Sequence, residues 1–224
     1  MLNSKLHKNI FAYKEGVSTE DSLHGLVNKI ETAFEQKEQC MVLFLDLSAA
    51  FSSVTISGII KNLKNIGCEP EILSWVKDML EHRVVIAFLN GGKVYKIVVR
   101  GTHQGGILSV VFWNVDSQEM MEMLPEPGKT ETKAFADDSA TAAAGKYEKQ
   151  LAKNIQEAAN IMVEWATSNG LKFNASKCKV MLFSRKHKPK KWPIFINGEE
   201  VEYVSEYKYL GVVLNDNCHG NLTL

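Results

Sequence analysis

Phe135-Ala136-Asp137-Asp138 places two adjacent carboxylates between a short apolar run and the small residues 139–144. Thr132, Ala134 and Ala136 alternate with Lys133, Phe135 and Asp137. The pattern predicts a tight hairpin turn holding both acids, because Asp tolerates left-handed backbone geometry. Two acids in a turn do no chemistry without a partner. One lies upstream, where Met41-Val42-Leu43-Phe44-Leu45 is a continuous apolar run ending abruptly in Asp46. Such a run reads as a buried central strand. A carboxylate at its end is costly unless positive charge compensates it, and no Lys or Arg follows before Lys61. If this strand lies beside the acidic hairpin, Asp46, Asp137 and Asp138 converge as hard oxygen ligands suited to Mg²⁺. Two ions held this way can activate an attacking hydroxyl and stabilise the leaving oxygens of a phosphoryl transfer.

The elements that must position these acids can be read from periodicity. Ser18 and Asp21 are spaced as a capping box, and Leu23, Leu26, Val27, Ile30, Ala33 and Phe34 follow helical spacing toward the Asp46 strand. Ile59, Ile60, Leu63 and Ile66 form an apolar helix face ended by Gly67, and Pro70 opens another helix. Residues 84–89 and 94–99 read as a hairpin around Asn90-Gly91-Gly92, and an apolar helix runs from 107 to about 123. Pro125-Glu126-Pro127-Gly128 breaks the chain before the acidic hairpin, and 147–168 is a long amphipathic helix ending near Asn169-Gly170. Short strands fill the last third. This order predicts an α+β layer, an antiparallel sheet with helices on one face.

Successive motifs carry a family resemblance. Leu45-Asp46-Leu47-Ser48-Ala49-Ala50-Phe51, Gly101-Thr102-His103-Gln104-Gly105-Gly106-Ile107-Leu108-Ser109 and Phe135-Ala136-Asp137-Asp138 resemble, in order and spacing, palm motifs of reverse transcriptases. Leu171-Lys172-Phe173-Asn174-Ala175-Ser176-Lys177 and Tyr207-Lys208-Tyr209-Leu210-Gly211-Val212 resemble the next two motifs of the non-LTR retrotransposon enzymes. The resemblance implies a ferredoxin-like palm with partial fingers and no complete thumb. It places a partial fingers region at 1–40, the palm at 41–184, and a strand-rich end with a primer-grip-like turn at 185–224. It implies Asp46, Asp137 and Asp138 as catalytic metal ligands for two Mg²⁺ ions, with Mn²⁺ a possible substitute. Leu47, Phe51, Gln104 and Lys177 would meet the deoxynucleoside triphosphate, Phe51 as the barrier to a 2′-hydroxyl and Lys177 at the leaving pyrophosphate. Tyr209, Leu210 and Gly211 would grip the primer. The implied partners are an RNA template and a DNA primer, with fingers, thumb and an endonuclease supplied by a longer polyprotein. The alternative is a truncated, inactive retroelement remnant that keeps the fold. Departures from the family pattern are Ser52 for Asp, His103 and Val110 for Pro, and Lys14 and Val17 for Arg.

A chain of 224 residues with 45% hydrophobic content can bury a sizeable core. Its 26 basic and 26 acidic residues cancel, which is unusual for a protein that holds a polyanionic duplex. The densest basic run is Arg185-Lys186-His187-Lys188-Pro189-Lys190-Lys191, followed by Trp192. Arg185, Lys186, Lys188, Lys190 and Lys191 are candidates for nucleic-acid backbone contact, with a solvated loop as the plain alternative and nuclear import a third. Cys40, Cys68, Cys178 and Cys218 show no zinc or disulfide spacing, and no membrane span or signal peptide is visible. An intracellular protein, nuclear or cytoplasmic, is expected.

Overall fold

The computed structural model describes residues 5–103, 105–125 and 128–216. The chain begins with α1 (Thr19–Glu35), β1 (Gln39–Leu45), β2 (Leu47–Ser48), α2 (Ala50–Ser53), α3 (Ile56–Asn65) and α4 (Pro70–Glu81). It continues through β3 (Arg83–Leu89), β4 (Gly92–Val98), α5 (Ile107–Met123), β5 (Glu131–Phe135), β6 (Asp138–Gly145) and α6 (Glu148–Ser168). Short strands follow: β7 (Lys172–Phe173), β8 (Lys179–Phe183), β9 (Phe195–Ile196), β10 (Glu199–Glu200), β11 (Glu202–Tyr203), β12 (Glu206–Tyr209) and β13 (Val212–Asn215).

Five strands make the central sheet in the order β11-β8-β1-β6-β5. All pairs are antiparallel except β11 on β8. Every residue of β1 is buried, and the pleat sends them to opposite sides. Met41, Leu43 and Leu45 join the larger core with α3, α5 and α6, whereas Cys40, Val42 and Phe44 join a second core with α1 and the β12–β13 hairpin. The sheet is therefore covered on both faces. α5 and α6 lie together on one face, whereas α1, assigned from sequence to the fingers region, packs on the other, so the helices are not confined to the one face expected. The alanines of β6, poor strand formers, suit this arrangement because their small Cβ groups let helices approach from both sides. The capping box on α1 forms, with Ser18 N donating to Asp21 Oδ2 at 2.7 Å.

The β3–β4 hairpin turns at Asn90-Gly91 and pairs with no other strand among the described residues. Val84, Ile86, Phe88, Tyr95 and Ile97 remain exposed along one of its faces, Phe88 at 77%. Beyond it, Gly101 has φ +75°, and a Cβ there would come within 2.6 Å of the Ser52 backbone. Only glycine permits this approach. Gly101 N and Thr102 N then donate to the carbonyls of Val54 and Phe51 at 2.7 and 2.6 Å, tying the glycine-flanked loop to the Phe51 segment.

α5 carries one residue that its apolar pattern conceals. Asp116 is 2% exposed, accepts a hydrogen bond from Asn62 Nδ2 at 3.2 Å, and is pushed up to about 6 by burial. Because its folded value exceeds the ordinary 3.8, the folded state binds the proton more tightly, and stability falls as pH rises through the window from 3.8 to about 6. The expected loss is of the order of 3 kcal/mol over that window. Urea unfolding of Asp116→Asn against the parent at pH 4 and pH 7 should show the variant gaining relative stability at the higher pH; parallel curves would remove the effect.

Candidate active site

The register of β1 on β6 decides where the acids lie. Phe44 pairs with Ala140 and Leu45 with Ser139, so the next positions outward are Asp46 and Asp138, on the face shared by Phe44 and Ala140. Phe135 pairs with Asp138 across a two-residue turn made of Ala136 and Asp137. The expectation that both acids occupy the turn is thus corrected: Asp138 opens the strand. Nor is the left-handed residue an Asp, since Ala136 has φ +53°. A strained alanine persists only where its surroundings hold it. Trp113 provides that hold, its Nε1 donating to the Ala136 carbonyl at 2.6 Å.

Asp46 is clasped by the segment after α6. β2 pairs with β7 through Leu47 and Phe173, Asn174 N donates to the Asp46 carbonyl at 2.9 Å, and Asp46 N donates to Cys178 Sγ at 3.5 Å. Lys177 Nζ stands 3.6 Å from Asp46 Oδ1. The compensating charge that seemed absent from the local sequence therefore arrives from a distant loop. Lys177 is 66% exposed, so solvent screens this pair and it is worth little. Asp46 Oδ1 is buried and accepts no hydrogen bond. Burial, then Asp137, then Asp46 raise the Asp138 carboxyl above its usual range, although that side chain still reaches solvent.

A buried carboxylate oxygen that accepts no hydrogen bond, beside two further acids, fits a divalent cation, for which oxygen ligands are the natural donors. Among the described residues, no three His, Cys, Asp or Glu side chains are gathered closely enough to hold a metal as they stand. Like charges repel one another without a counter-ion between them.

The other candidates divide. Phe51 is half-buried, its ring 5.9 Å from that of Trp113, which meets Trp165 edge-on at 6.5 Å. Gln104 lies outside the described residues. Leu47 is 6% exposed, and its side chain joins the larger core. Leu210 and Gly211 form the two-residue turn between β12 and β13, with φ of +47° and +89°. Tyr209 is 3% exposed and packs 5.3 Å from Phe44, so its side chain is turned into the core. Tyr207, which sequence reasoning passed over, is half-buried, stacks on Phe44 at 4.4 Å, and is raised by burial and then by Asp138 and Asp46. Its spacing of two from Tyr209, in a hairpin, was the available signal. The basic run is far from the acids, since Phe183 pairs with Cys40 at the opposite end of β1. Arg185 lies over the Phe34 ring at 4.9 Å and Lys186 pairs with Glu148 at 2.8 Å, so neither faces the acidic site. Lys188, Lys190 and Lys191 are exposed on the same loop.

The family described as reverse transcriptase (RNA-dependent DNA polymerase) matches residues 1–214. The chain belongs to the reverse transcriptase family. Among its relatives are the probable RNA-directed DNA polymerase from transposon X-element of Drosophila melanogaster, 30% identical over 92% of this chain, and the RNA-directed DNA polymerase from mobile element jockey of the same species, 28% identical. This reverse transcriptase chain spans 23% of the length of each. Apo telomerase from Candida tropicalis shares the fold, with a TM-score of 0.66 over 96% of this chain and 36% of that one, at 11% identity. These likenesses agree with the palm-type fold expected from the motifs. Cys68 and Cys178 are free thiols, Cys40 is buried, Cys218 lies outside the described residues, and no described helix is long and apolar enough to cross a membrane.

Proposed function

We propose that this chain is the catalytic palm of an RNA-directed DNA polymerase of a non-LTR retrotransposon. The observation that carries the reading is the β1–β6 register, which sets Asp46 opposite Asp138 and beside Asp137 with Asp46 Oδ1 buried, without a hydrogen bond and met only by the solvent-screened Lys177. Asp46, Asp137 and Asp138 are the residues that would hold two Mg²⁺ ions. Bound there, the metal supplies charge stabilisation to the attacking 3′-hydroxyl and the leaving phosphate oxygens. The protein's own groups do the positioning. Trp113 fixes the Asp137 turn through the Ala136 carbonyl, and the Gly101–Thr102 hydrogen bonds fix the backbone under Phe51. Phe51, backed by Trp113, forms the floor of the nucleotide pocket and excludes a 2′-hydroxyl by bulk. Lys177, free to leave Asp46 because their pair is solvent-screened, turns to the triphosphate. The Leu210-Gly211 turn meets the primer end with its backbone.

A net charge of zero offers a duplex few phosphate contacts, so the isolated chain should bind primer–template weakly and turn over poorly. The test is therefore single-nucleotide incorporation on an RNA template with protein in large excess over primer. Addition of a deoxynucleotide in Mg²⁺, with none in EDTA and far less from a ribonucleotide, is expected. No addition at saturating protein would overturn the proposal in favour of an inactive remnant.

A further inference from the structure

The end of the sheet opposite the acids carries a second constellation. Seven residues of β1 separate the two ends, roughly 23 Å at the usual strand rise. There the N-terminal half of α6 and the segment 192–195 enclose a groove of about 930 Å³, lined by Tyr147, Lys149, Lys153, Asn160, Trp192 and Phe195 among others. Tyr147 is 74% exposed and Phe195 43%. Lys190 Nζ lies 4.4 Å and Lys149 Nζ 5.3 Å from the centroid of the Trp192 ring.

The backbone that carries two of these rings is held in place. Tyr203 Oη donates to the Trp192 carbonyl at 2.7 Å, while the Gln156 side chain accepts from Phe195 N at 2.7 Å and donates to its carbonyl at 2.9 Å. Aromatic side chains lining one groove and flanked by ammonium groups have the chemistry of a stacking platform for unpaired bases. The acid nearest the groove's lysines, Glu157, is 3.8 Å from Lys153 and offsets only that one, so the lining keeps a positive excess. Duplex does not suit it, since paired bases present no free face to a ring. The Asn160 amide nitrogen and the Gln150 amide oxygen have no partner among the described residues and can bond a 2′-hydroxyl, a group that RNA carries and DNA lacks.

We propose that this groove binds single-stranded RNA, with bases stacked on Trp192, Tyr147 and Phe195 and phosphates met by Lys149, Lys153 and Lys190. A base arriving on Trp192 replaces one ammonium on its face, and the displaced lysine pairs with the adjoining phosphate. The site is separate from the acidic end and does not rest on the polymerase reading.

The test is fluorescence anisotropy of the full chain with a fluorescein-labelled oligo(U) 12-mer, and the same experiment with oligo(dT). Oligo(U) should bind with a log–log salt slope of about −2, as expected of about three phosphate contacts on a single strand. Trp192→Ala should weaken binding about fivefold or more, Trp192→Phe should restore most of it, and Lys149→Glu with Lys190→Glu should nearly abolish it. Both lysines are exposed, so that double variant folds even if Trp192→Ala does not. Unchanged affinity in the lysine variant, or no binding by the parent, would overturn the site. Equal affinity for oligo(dT) would overturn its assignment to RNA.

Discussion

Replacing Asp46 with Asn should lower nucleotide incorporation about a thousandfold, roughly 4 kcal/mol of transition-state stabilisation, while raising the unfolding temperature measured without divalent ions. The two effects share a cause. Asp46 Oδ1 is buried with no hydrogen bond, and Asp137 and Asp138 crowd the same corner, so the carboxylate is held at a cost that an amide avoids. Against this stands the Lys177 pair at 3.6 Å, which solvent reduces to a fraction of a kcal/mol. Relief outweighs loss, and about 1 kcal/mol corresponds to a rise of roughly 2–4 °C for a chain of this size. Magnesium should reverse the order, because a ligand that binds only the folded state stabilises the parent and not the variant. Thermal scans of both proteins with and without Mg²⁺ test this. An Asn variant that melts lower in EDTA, or that gains as much from Mg²⁺ as the parent, would remove Asp46 from the metal site.

The second large effect is expected at Trp113. This indole is 1% exposed, touches the rings of Phe51 and Trp165, and donates to the carbonyl of the left-handed Ala136. Trp113→Ala should cost about 3–5 kcal/mol through the cavity it leaves, a large share of the 5–15 kcal/mol typical of a domain. Trp113→Phe is the more telling variant. It keeps an aromatic between Phe51 and Trp165 but removes the Ala136 bond, so it should lose about 1–3 kcal/mol and more activity than that loss explains. Urea unfolding alongside single-turnover incorporation separates the two. Full activity at reduced stability would show that the turn needs no such support.

Much of this was legible in the chain. The apolar run ending in Asp46, the acidic pair before small residues, the Ser18 capping box and Pro70 at the head of α4 are local signals with local causes, and each element formed where they pointed. What escaped depends on contacts between distant segments. Tyr207 and Tyr209 share one face of β12 and both pack on Phe44, so which of them is fully buried depends on where the β12–β13 hairpin docks along the sheet, which the alternation does not reveal. Trp113 lies in a helix apolar on nearly every side, where nothing in the spacing marks one indole as the support of a turn. Lys177 reaches Asp46 only after α6 has crossed the sheet. The basic run was read correctly as charge, but its position at the opposite end of β1 follows from the antiparallel pairing with β8.

The place of β1 at the centre of the sheet has a consequence for biosynthesis. Both of its neighbours, β6 and β8, emerge from the ribosome roughly a hundred residues or more after it, so its apolar segment waits unpaired over that interval. Strand pairing over such separations is slow, and an uncovered run of this kind is where nascent chains associate with one another. α1, made just before β1, can shield one face at once. The other must wait for α6, so the yield of folded protein is governed by how quickly the ribosome, or a chaperone beside it, brings residues 40–45 through that interval.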